Sequence, residues 1–176
     1  MKPFATLLVF AALSLSAQEA SLGARIHALV PLGDVRGLTN NQMGLGGAVF
    51  VSFPVGSGVV LRPLVGLQVI PKGNTNGLPG SQTSVGSLDL MVDTLWFPEE
   101  DSERGAYLVG SFGGQQWHVT TSGPNESNRH YGRIGVSGGL GYQFTPRLGL
   151  EARGFWSPID KNLTATGFTL GVTLRY

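Results

Sequence analysis

The last ten residues, Gly167–Tyr176, alternate strictly between large apolar side chains and small, polar or charged ones. The apolar positions are Phe168, Leu170, Val172, Leu174 and Tyr176. Because successive side chains of a strand point to opposite faces, one face of this segment is wholly apolar. The pattern predicts a strand that faces an apolar phase, which is either the core of a soluble protein or the lipid around a membrane barrel.

The same alternation, interrupted by turn residues, recurs from Gly23 onward and predicts eight strands. They are Gly23–Pro31, Met43–Phe53, Val59–Ile70, Val85–Phe97, Ala106–Trp117, His130–Phe144, Leu148–Trp156 and Gly167–Tyr176. The fifth strand is ambiguous, since either Leu108 and Phe112 or Tyr107 and Val109 could point outward. Pro63 cannot donate a ladder hydrogen bond, so we expect an edge or a bulge in the third strand.

The predicted connections differ in length between the two ends of the strands. Longer polar loops follow strands 1, 3, 5 and 7, at residues 34–42, 71–83, 118–129 and 157–162. Shorter turns follow strands 2, 4 and 6 and begin at Phe53, Phe97 and Phe144, although the acidic turn Pro98–Gly105 is as long as some loops. Short turns at one end, long loops at the other and recurrent aromatics are typical of outer-membrane barrels. An even number of strands would bring the last strand beside the first.

The N-terminus predicts a secretory signal peptide. Lys2 precedes a short apolar run, Phe4–Leu13, and small or polar residues follow as far as Ala20. We expect cleavage after Ala17 or Ala20, which leaves residues 21–176 as one barrel domain. The apolar run is shorter than the roughly 20 residues that span a bilayer, and no later segment reaches the length or apolarity of a transmembrane helix. Membrane residence would therefore be through a closed barrel.

If the apolar face meets lipid, the opposite face carries an interior set of charges. They are Arg25, Arg62, Asp89, Asp93, Arg133, Glu151, Arg153 and Arg175, with His27 beside them. Because an isolated buried charge is costly, we expect these groups to be paired. The expected contacts are Arg62 with Asp93, and Glu151 with Arg133, Arg153 and Arg175. An eight-stranded barrel is filled by its side chains, so the predicted interior is a plug and not a pore.

A soluble, lipocalin-like barrel would reverse this polarity. Its interior would be apolar, and Trp96, Tyr142, Phe144 and Trp156 would line a ligand cavity. Alternation alone does not separate a secreted ligand-binding barrel from a membrane barrel. The terminal aromatic, the aromatics at the hairpin ends and the loop lengths favour the membrane.

Composition and motifs indicate no catalytic, metal or cofactor site. The formal net charge of +1 and the absence of a basic face argue against nucleic acid. The chain has no Cys, which excludes disulfides and thiolate metal sites. His27, His118 and His130 lack a metal-ligand spacing. His118 and His130 flank the third predicted long loop, near several hydroxyl side chains, so a lipid A-modifying enzyme is an alternative; we interpret them as polar loop residues.

The stretch Gly138–Arg153, Gly-Gly-Leu-Gly-Tyr-Gln-Phe-Thr-Pro-Arg-Leu-Gly-Leu-Glu-Ala-Arg, resembles the sixth strand, turn and seventh strand of OmpA-like outer-membrane barrels. The signal peptide and Tyr176 add to the resemblance. It implies an all-β, eight-stranded antiparallel up-and-down barrel in the bacterial outer membrane, monomeric and non-enzymatic, with a structural or surface-interaction role through its outer loops. Its implied partners are outer-membrane lipid, lipopolysaccharide and the barrel-assembly machinery. The machinery would read the final strand through Phe168, Leu170, Val172, Leu174 and Tyr176, while Phe53, Phe144 and Tyr176 would contribute to an interfacial girdle.

Overall fold

The computed structural model describes residues 20–124 and 126–176, so all but the last residue of the predicted signal peptide lies outside the described residues. The strands are β1 (Ser21–Leu32), β2 (Gly44–Gly56), β3 (Val59–Asn74), β4 (Gln82–Trp96), β5 (Gly105–Ser122), β6 (Ser127–Gln143), β7 (Leu148–Asp160) and β8 (Leu163–Arg175), with one short helix, α1 (Gly33–Leu38). Each strand pairs antiparallel with its neighbours in chain order, and β1 pairs with β8. The predicted eight-stranded up-and-down barrel is confirmed.

The barrel closes between its first and last strands. Gly23 lies opposite Arg175, and the pairing continues to Leu32 opposite Thr166. The Tyr176 amide donates a hydrogen bond to the carbonyl oxygen of Leu22 over 2.8 Å. The predicted pairing of the final strand with the first is therefore confirmed.

The ends of the barrel can be named from their connections. The terminus end carries Ala20, Tyr176 and the turns 57–58, 97–104 and 144–147. The loop end carries the connections 33–43, 75–81, 123–126 and 161–162. No helix among the described residues has the length and apolarity needed to cross a membrane.

The strands at the loop end are longer than predicted, so the expected contrast in loop length is wrong. The segment 118–129, expected as a loop, is largely a continuation of β5 and β6, and β7 and β8 are joined by residues 161–162 alone. Thr120 lies opposite Asn128 and Thr121 opposite Ser127. Because these pairs are polar, the ladder continues where the apolar alternation has stopped.

Residues 34–42, expected as an irregular loop, begin with α1. Its single buried residue, Val35, packs into the loop end of the barrel, and the Thr39 amide donates to the Val35 carbonyl oxygen over 3.1 Å. The side chain of Asp34 accepts a hydrogen bond from the Thr164 amide on β8 over 2.9 Å. A six-residue helix with one apolar anchor has too little periodicity to be recognised from sequence.

Pro63 marks neither an edge nor a bulge, so that expectation is wrong. On one side, Pro63 lies opposite Val92 of β4. On the other side, β3 pairs with β2 at Phe50–Leu64 and again at Phe53–Leu61, and the register is the same before and after this break. A closed barrel has no edge strand. Because Pro63 has no N–H group, the hydrogen-bond ladder between β2 and β3 has a short gap at this position.

Candidate functional site

The outer surface of the barrel is an apolar belt to which all eight strands contribute. Its most exposed members include Ile26, Leu45, Leu67, Leu90, Phe112, Ile134, Leu140 and Phe168. On β5, Leu108 and Phe112 are 45% and 61% exposed whereas Tyr107 and Val109 are 1% and 4% exposed, which settles the ambiguous facing. Soluble monomers rarely expose contiguous apolar patches beyond a few hundred Å². The belt is therefore a surface suited to lipid.

The aromatic residues of the lipocalin-like alternative also lie outside. Trp96, Tyr142, Phe144 and Trp156 are each about half exposed on the outer surface. They do not line a cavity, so the arrangement that a secreted ligand-binding barrel requires is absent from residues 20–124 and 126–176.

The centre of the barrel holds what we call the ionic cluster: Arg25, Arg62, Asp93, Glu151 and Arg153. Nη2 of Arg62 lies 2.7 Å from Oδ2 of Asp93 and 2.6 Å from Oε1 of Glu151. Nη2 of Arg153 contacts both carboxylates as well, at 2.8 Å from Oδ2 of Asp93 and 2.5 Å from Oε2 of Glu151. Nη1 of Arg25 lies 3.4 Å from Oε2 of Glu151. Three guanidinium groups thus enclose two carboxylates.

Neutral donors complete the coordination of the two carboxylates. The Tyr107 hydroxyl donates to Oε1 of Glu151 over 2.8 Å. The Ser111 hydroxyl donates to Oδ1 of Asp93 and accepts from Nη1 of Arg153 over 2.9 Å. Since each carboxylate accepts several charge-assisted bonds, both carboxylates are paired and hydrogen-bonded, as buried charges require.

Backbone register explains the position of the cluster. Arg62 and Asp93 are directly opposite on β3 and β4 and form the contact that the sequence predicts. Glu151 and Arg153 are two positions apart on β7, so both point inward. The guanidinium carbon of Arg62 also lies 4.6 Å from the centroid of the Phe50 ring, which fixes its other face.

Two clusters of buried apolar residues pack inside the barrel, one on each side of the ionic cluster. The terminus end is filled by Val60, Leu95, Phe97, Tyr107 and Val109. The loop end is filled by Leu29, Val35, Ile70, Val85, Trp117, Val119, Ile159 and Ala165. Between them lies a cavity of about 40 Å³ beside Arg25, His27 and Asp89. It has room for a few water molecules at most.

Asp89 and Arg175 lie inside the barrel but outside the cluster, whereas Arg133 is not in the interior. The Asp89 carboxylate accepts hydrogen bonds from Gln68, Ser87 and Gln115 at 2.7, 2.8 and 3.0 Å. Arg133 is exposed at the loop end, with its guanidinium 5.9 Å from the Tyr131 ring centroid. Arg175 lies near the terminus end, where it donates to the Ser102 carbonyl oxygen over 3.0 Å.

The expected contacts of Glu151 with Arg133 and Arg175 are therefore wrong. The residues opposite Glu151 are Gly141 on β6 and Gly171 on β8, well away from both arginines along their strands. Strand tilt and stagger in a barrel separate residues whose positions along the sequence suggest equal height. The sequence did not predict Arg25 and Arg62 as partners of Glu151, because β1 and β3 are not neighbours of β7 in the sheet.

The aromatic residues at the terminus end do not form one uniform outward row. Phe97 is buried and its ring centroid lies 4.8 Å from that of Tyr107, so Phe97 belongs to the interior. Phe144 points outward with Tyr142 at 5.0 Å between centroids, Phe53 is half-buried, and Tyr176 is exposed. Phe53, Phe144 and Tyr176 remain the candidate girdle residues.

The histidines form no catalytic arrangement with the neighbouring hydroxyls. His27 is buried in the interior. His118 and His130 lie opposite each other on β5 and β6, with their Nδ1 atoms 3.1 Å apart. The Ser122 hydroxyl donates instead to the Gln82 carbonyl oxygen. Within the described parts of the chain, no group of three or more His, Cys, Asp and Glu side chains could hold a metal ion.

A closed eight-stranded sheet with an apolar exterior and a charged interior defines the class of small outer-membrane β-barrels. The chain's sequence matches no protein-family model and no curated protein. Its fold is similar to that of Ail, the attachment invasion locus protein of Yersinia pestis (TM-score 0.61, 10% identity, 89% of this chain and 97% of that one). It is also similar to the N-terminal β-barrel domain of Pseudomonas aeruginosa OprF (TM-score 0.60, 13% identity, 90% and 100%) and to Neisserial surface protein A (TM-score 0.63, 15% identity, 90% and 100%).

Proposed function

We propose that this protein is a non-enzymatic integral outer-membrane barrel that serves as a closed scaffold and presents its loop end for surface interactions. The observation that carries the proposal is the inverted polarity, with an apolar belt outside and the ionic cluster inside. Lipid would contact the belt, including the acyl chains of lipopolysaccharide on the outer side. We expect a monomer that the barrel-assembly machinery inserts.

The proposed location is tested by fractionating a Gram-negative host that produces the full chain. We expect the protein in the outer-membrane fraction, released only by detergent, with faster gel migration before heating than after it. Recovery as a soluble monomer in plain buffer would contradict the proposal. In that case tryptophan quenching by apolar ligands would support the secreted ligand-binding barrel instead.

The filled interior supports a scaffold over a channel. The ionic cluster lies between two apolar layers, and the cavity beside it measures about 40 Å³. Single barrels in a planar lipid bilayer should therefore give no stable conductance steps. A steady ohmic current from the wild-type protein would refute the closed interior. The double variant R62A/E151A, which empties part of the interior, provides the positive comparison.

The absence of catalysis is tested separately. His118 and His130 face away from the interior and are not joined to a nucleophile. Lipid A mass spectra should be unchanged when the protein is overproduced. A change in acylation that depends on either histidine would establish the lipid A-modifying alternative.

A surface-interaction role rests on the loop end, where β5 and β6 extend beyond β7. β6 begins at Ser127, but its pairing with β7 begins only at Val136 opposite Trp156. Residues 127–135 of β6 therefore pair with β5 alone, and this free strand edge is the segment that we propose a partner would meet. Ail is named the attachment invasion locus protein, and an adhesive role for this chain is proposed on that likeness.

A further inference from the structure

We propose that His118 and His130 form a binding site for one divalent transition-metal ion on the outer face of the β5–β6 hairpin. The proposal goes beyond the scaffold function and does not depend on it. The two residues are twelve positions apart in sequence, and the hairpin brings them into direct opposition. Sequence spacing alone gave no metal-ligand signature, because the pairing is created by the register of the two strands.

The distance between the two rings fits chelation. Their Nδ1 atoms lie 3.1 Å apart, and the rings are nearly perpendicular with centroids 4.2 Å apart. Two imidazole nitrogens bound to one metal at about 2.0–2.1 Å are separated by about 2.9–3.4 Å when the angle at the metal is about 90–109°. The observed separation falls inside that interval, so the two rings can bind one metal once they rotate to point both Nδ1 lone pairs at it.

The surroundings leave room for the remaining ligands. Gly86 is the β4 residue opposite His118, and Gly132 is the next outward residue after His130 on β6. A side chain at Gly132 would meet no atom within 4 Å, so this side of the pair is open. Water molecules can occupy the other coordination positions.

The chemistry of the donors sets the expected selectivity. Two imidazoles suit Cu²⁺, Ni²⁺ and Zn²⁺, with Cu²⁺ bound most tightly in the usual order of stability. Mg²⁺ and Ca²⁺ prefer sets of oxygen ligands, which the pair does not supply. The metal would also join the two strands at a level where β6 has β5 as its sheet neighbour but has not yet met β7.

The experiment uses the full chain without a purification tag, folded in a zwitterionic detergent and titrated with CuCl₂ by calorimetry and electron paramagnetic resonance. We expect one Cu²⁺ per chain and coupling to two imidazole nitrogens. The variants H118A and H130A should each weaken Cu²⁺ binding and lose one nitrogen from the spectrum. The matched control is H27Q, since His27 is buried in the interior and should leave binding unchanged.

Two outcomes would overturn the proposal: no saturable Cu²⁺ binding by the wild-type protein, or binding that survives both H118A and H130A. Heat-modifiable migration checks that each variant is folded. Because both side chains project outside the barrel, their removal should not affect folding. Failure of the metal site would leave the membrane location untouched, since fractionation reads that out separately.

Discussion

Neutralising Glu151 is the sharpest test of the ionic cluster. Glu151 is 1% exposed and its carboxylate contacts Arg25, Arg62 and Arg153. In E151Q the side chain keeps its shape, but three guanidinium groups are left with only Asp93 as a counter-ion. We expect the barrel to fold less stably as a result.

The magnitude follows from the opposing electrostatic terms. Unit charges about 4 Å apart attract by about 4 kcal/mol at an effective dielectric constant of 20, and Glu151 takes part in three such pairs. Against this, burying the carboxylate itself costs several kcal/mol, which the variant no longer incurs. Breaking a buried pair usually costs a net 3–5 kcal/mol, and we expect about that loss in the free energy of unfolding.

Urea unfolding in lipid vesicles, followed by tryptophan fluorescence and by heat-modifiable migration, measures the change. The control is E100Q, because Glu100 is exposed in a turn and should change stability by no more than about 0.5 kcal/mol. The double variant E151Q/R153Q restores the net charge of the cluster, so it should lose less than the sum of its single variants. Stability of E151Q within about 1 kcal/mol of wild type would refute the reasoning, because the carboxylate would then contribute nothing beyond its shape.

Three further predictions concern the wall of the barrel. L170R places a charge at mid-strand on the outer face and should cost about 2–4 kcal/mol by the same unfolding assay, whereas L78R in a loop should cost little. G139A should destabilise by about 1–3 kcal/mol because the added Cβ would clash with the backbone carbonyl oxygen of Ala152 and lie 2.8 Å from the Cα of Arg153, while G138A, with its nearest neighbour at 3.8 Å, should be neutral. Y176A should slow insertion by the assembly machinery in cells without changing stability in vesicles; unchanged membrane levels would count against Tyr176 as an assembly signal.

The architecture could be predicted from sequence because it depends on a local signal. Alternation with a period of two is imposed on each strand by the difference between lipid and interior. It therefore identified the outward faces of β4, β6, β7 and β8, and the even strand number led to the closure of β1 on β8. The facing of β5 stayed ambiguous because Tyr107 and Val109 on its inner face are as apolar as Leu108 and Phe112.

The contacts inside the barrel were harder to predict because they depend on tilt and stagger. Two predicted pairs are present: Arg62 with Asp93 on adjacent strands, and Glu151 with Arg153 two positions apart on β7. Glu151 reaches Arg62 across the lumen, from β7 to β3, and no local pattern records such a contact. Phe97 points inward because it directly follows Trp96, which points outward, and neighbouring residues of a strand face opposite sides. The sequence pattern groups Phe97 with Phe53 and Phe144 because all three begin a turn, and this grouping does not distinguish which face each one occupies.

Polar strands were the other source of error. Beyond the apolar belt, the outer faces of β5 and β6 carry polar residues such as His118 and Thr120, whereas Val119 and Thr121 on the inner face of β5 stay buried. The apolar outer pattern therefore disappears although the backbone ladder continues. The same extension places His118 opposite His130. That pairing could have been found by counting residues outward from a correctly placed turn at 123–126.

The ionic cluster has a consequence for how the barrel comes together. Its charges come from β1, β3, β4 and β7, with neutral donors on β5, so no single hairpin can assemble it. A sheet still open between β1 and β8 would separate Arg25 from Glu151 and expose a charged face towards lipid. Pairing of β1 with β8 therefore brings Arg25 to Glu151 and encloses the charged face, so the ionic cluster is complete only in the closed barrel.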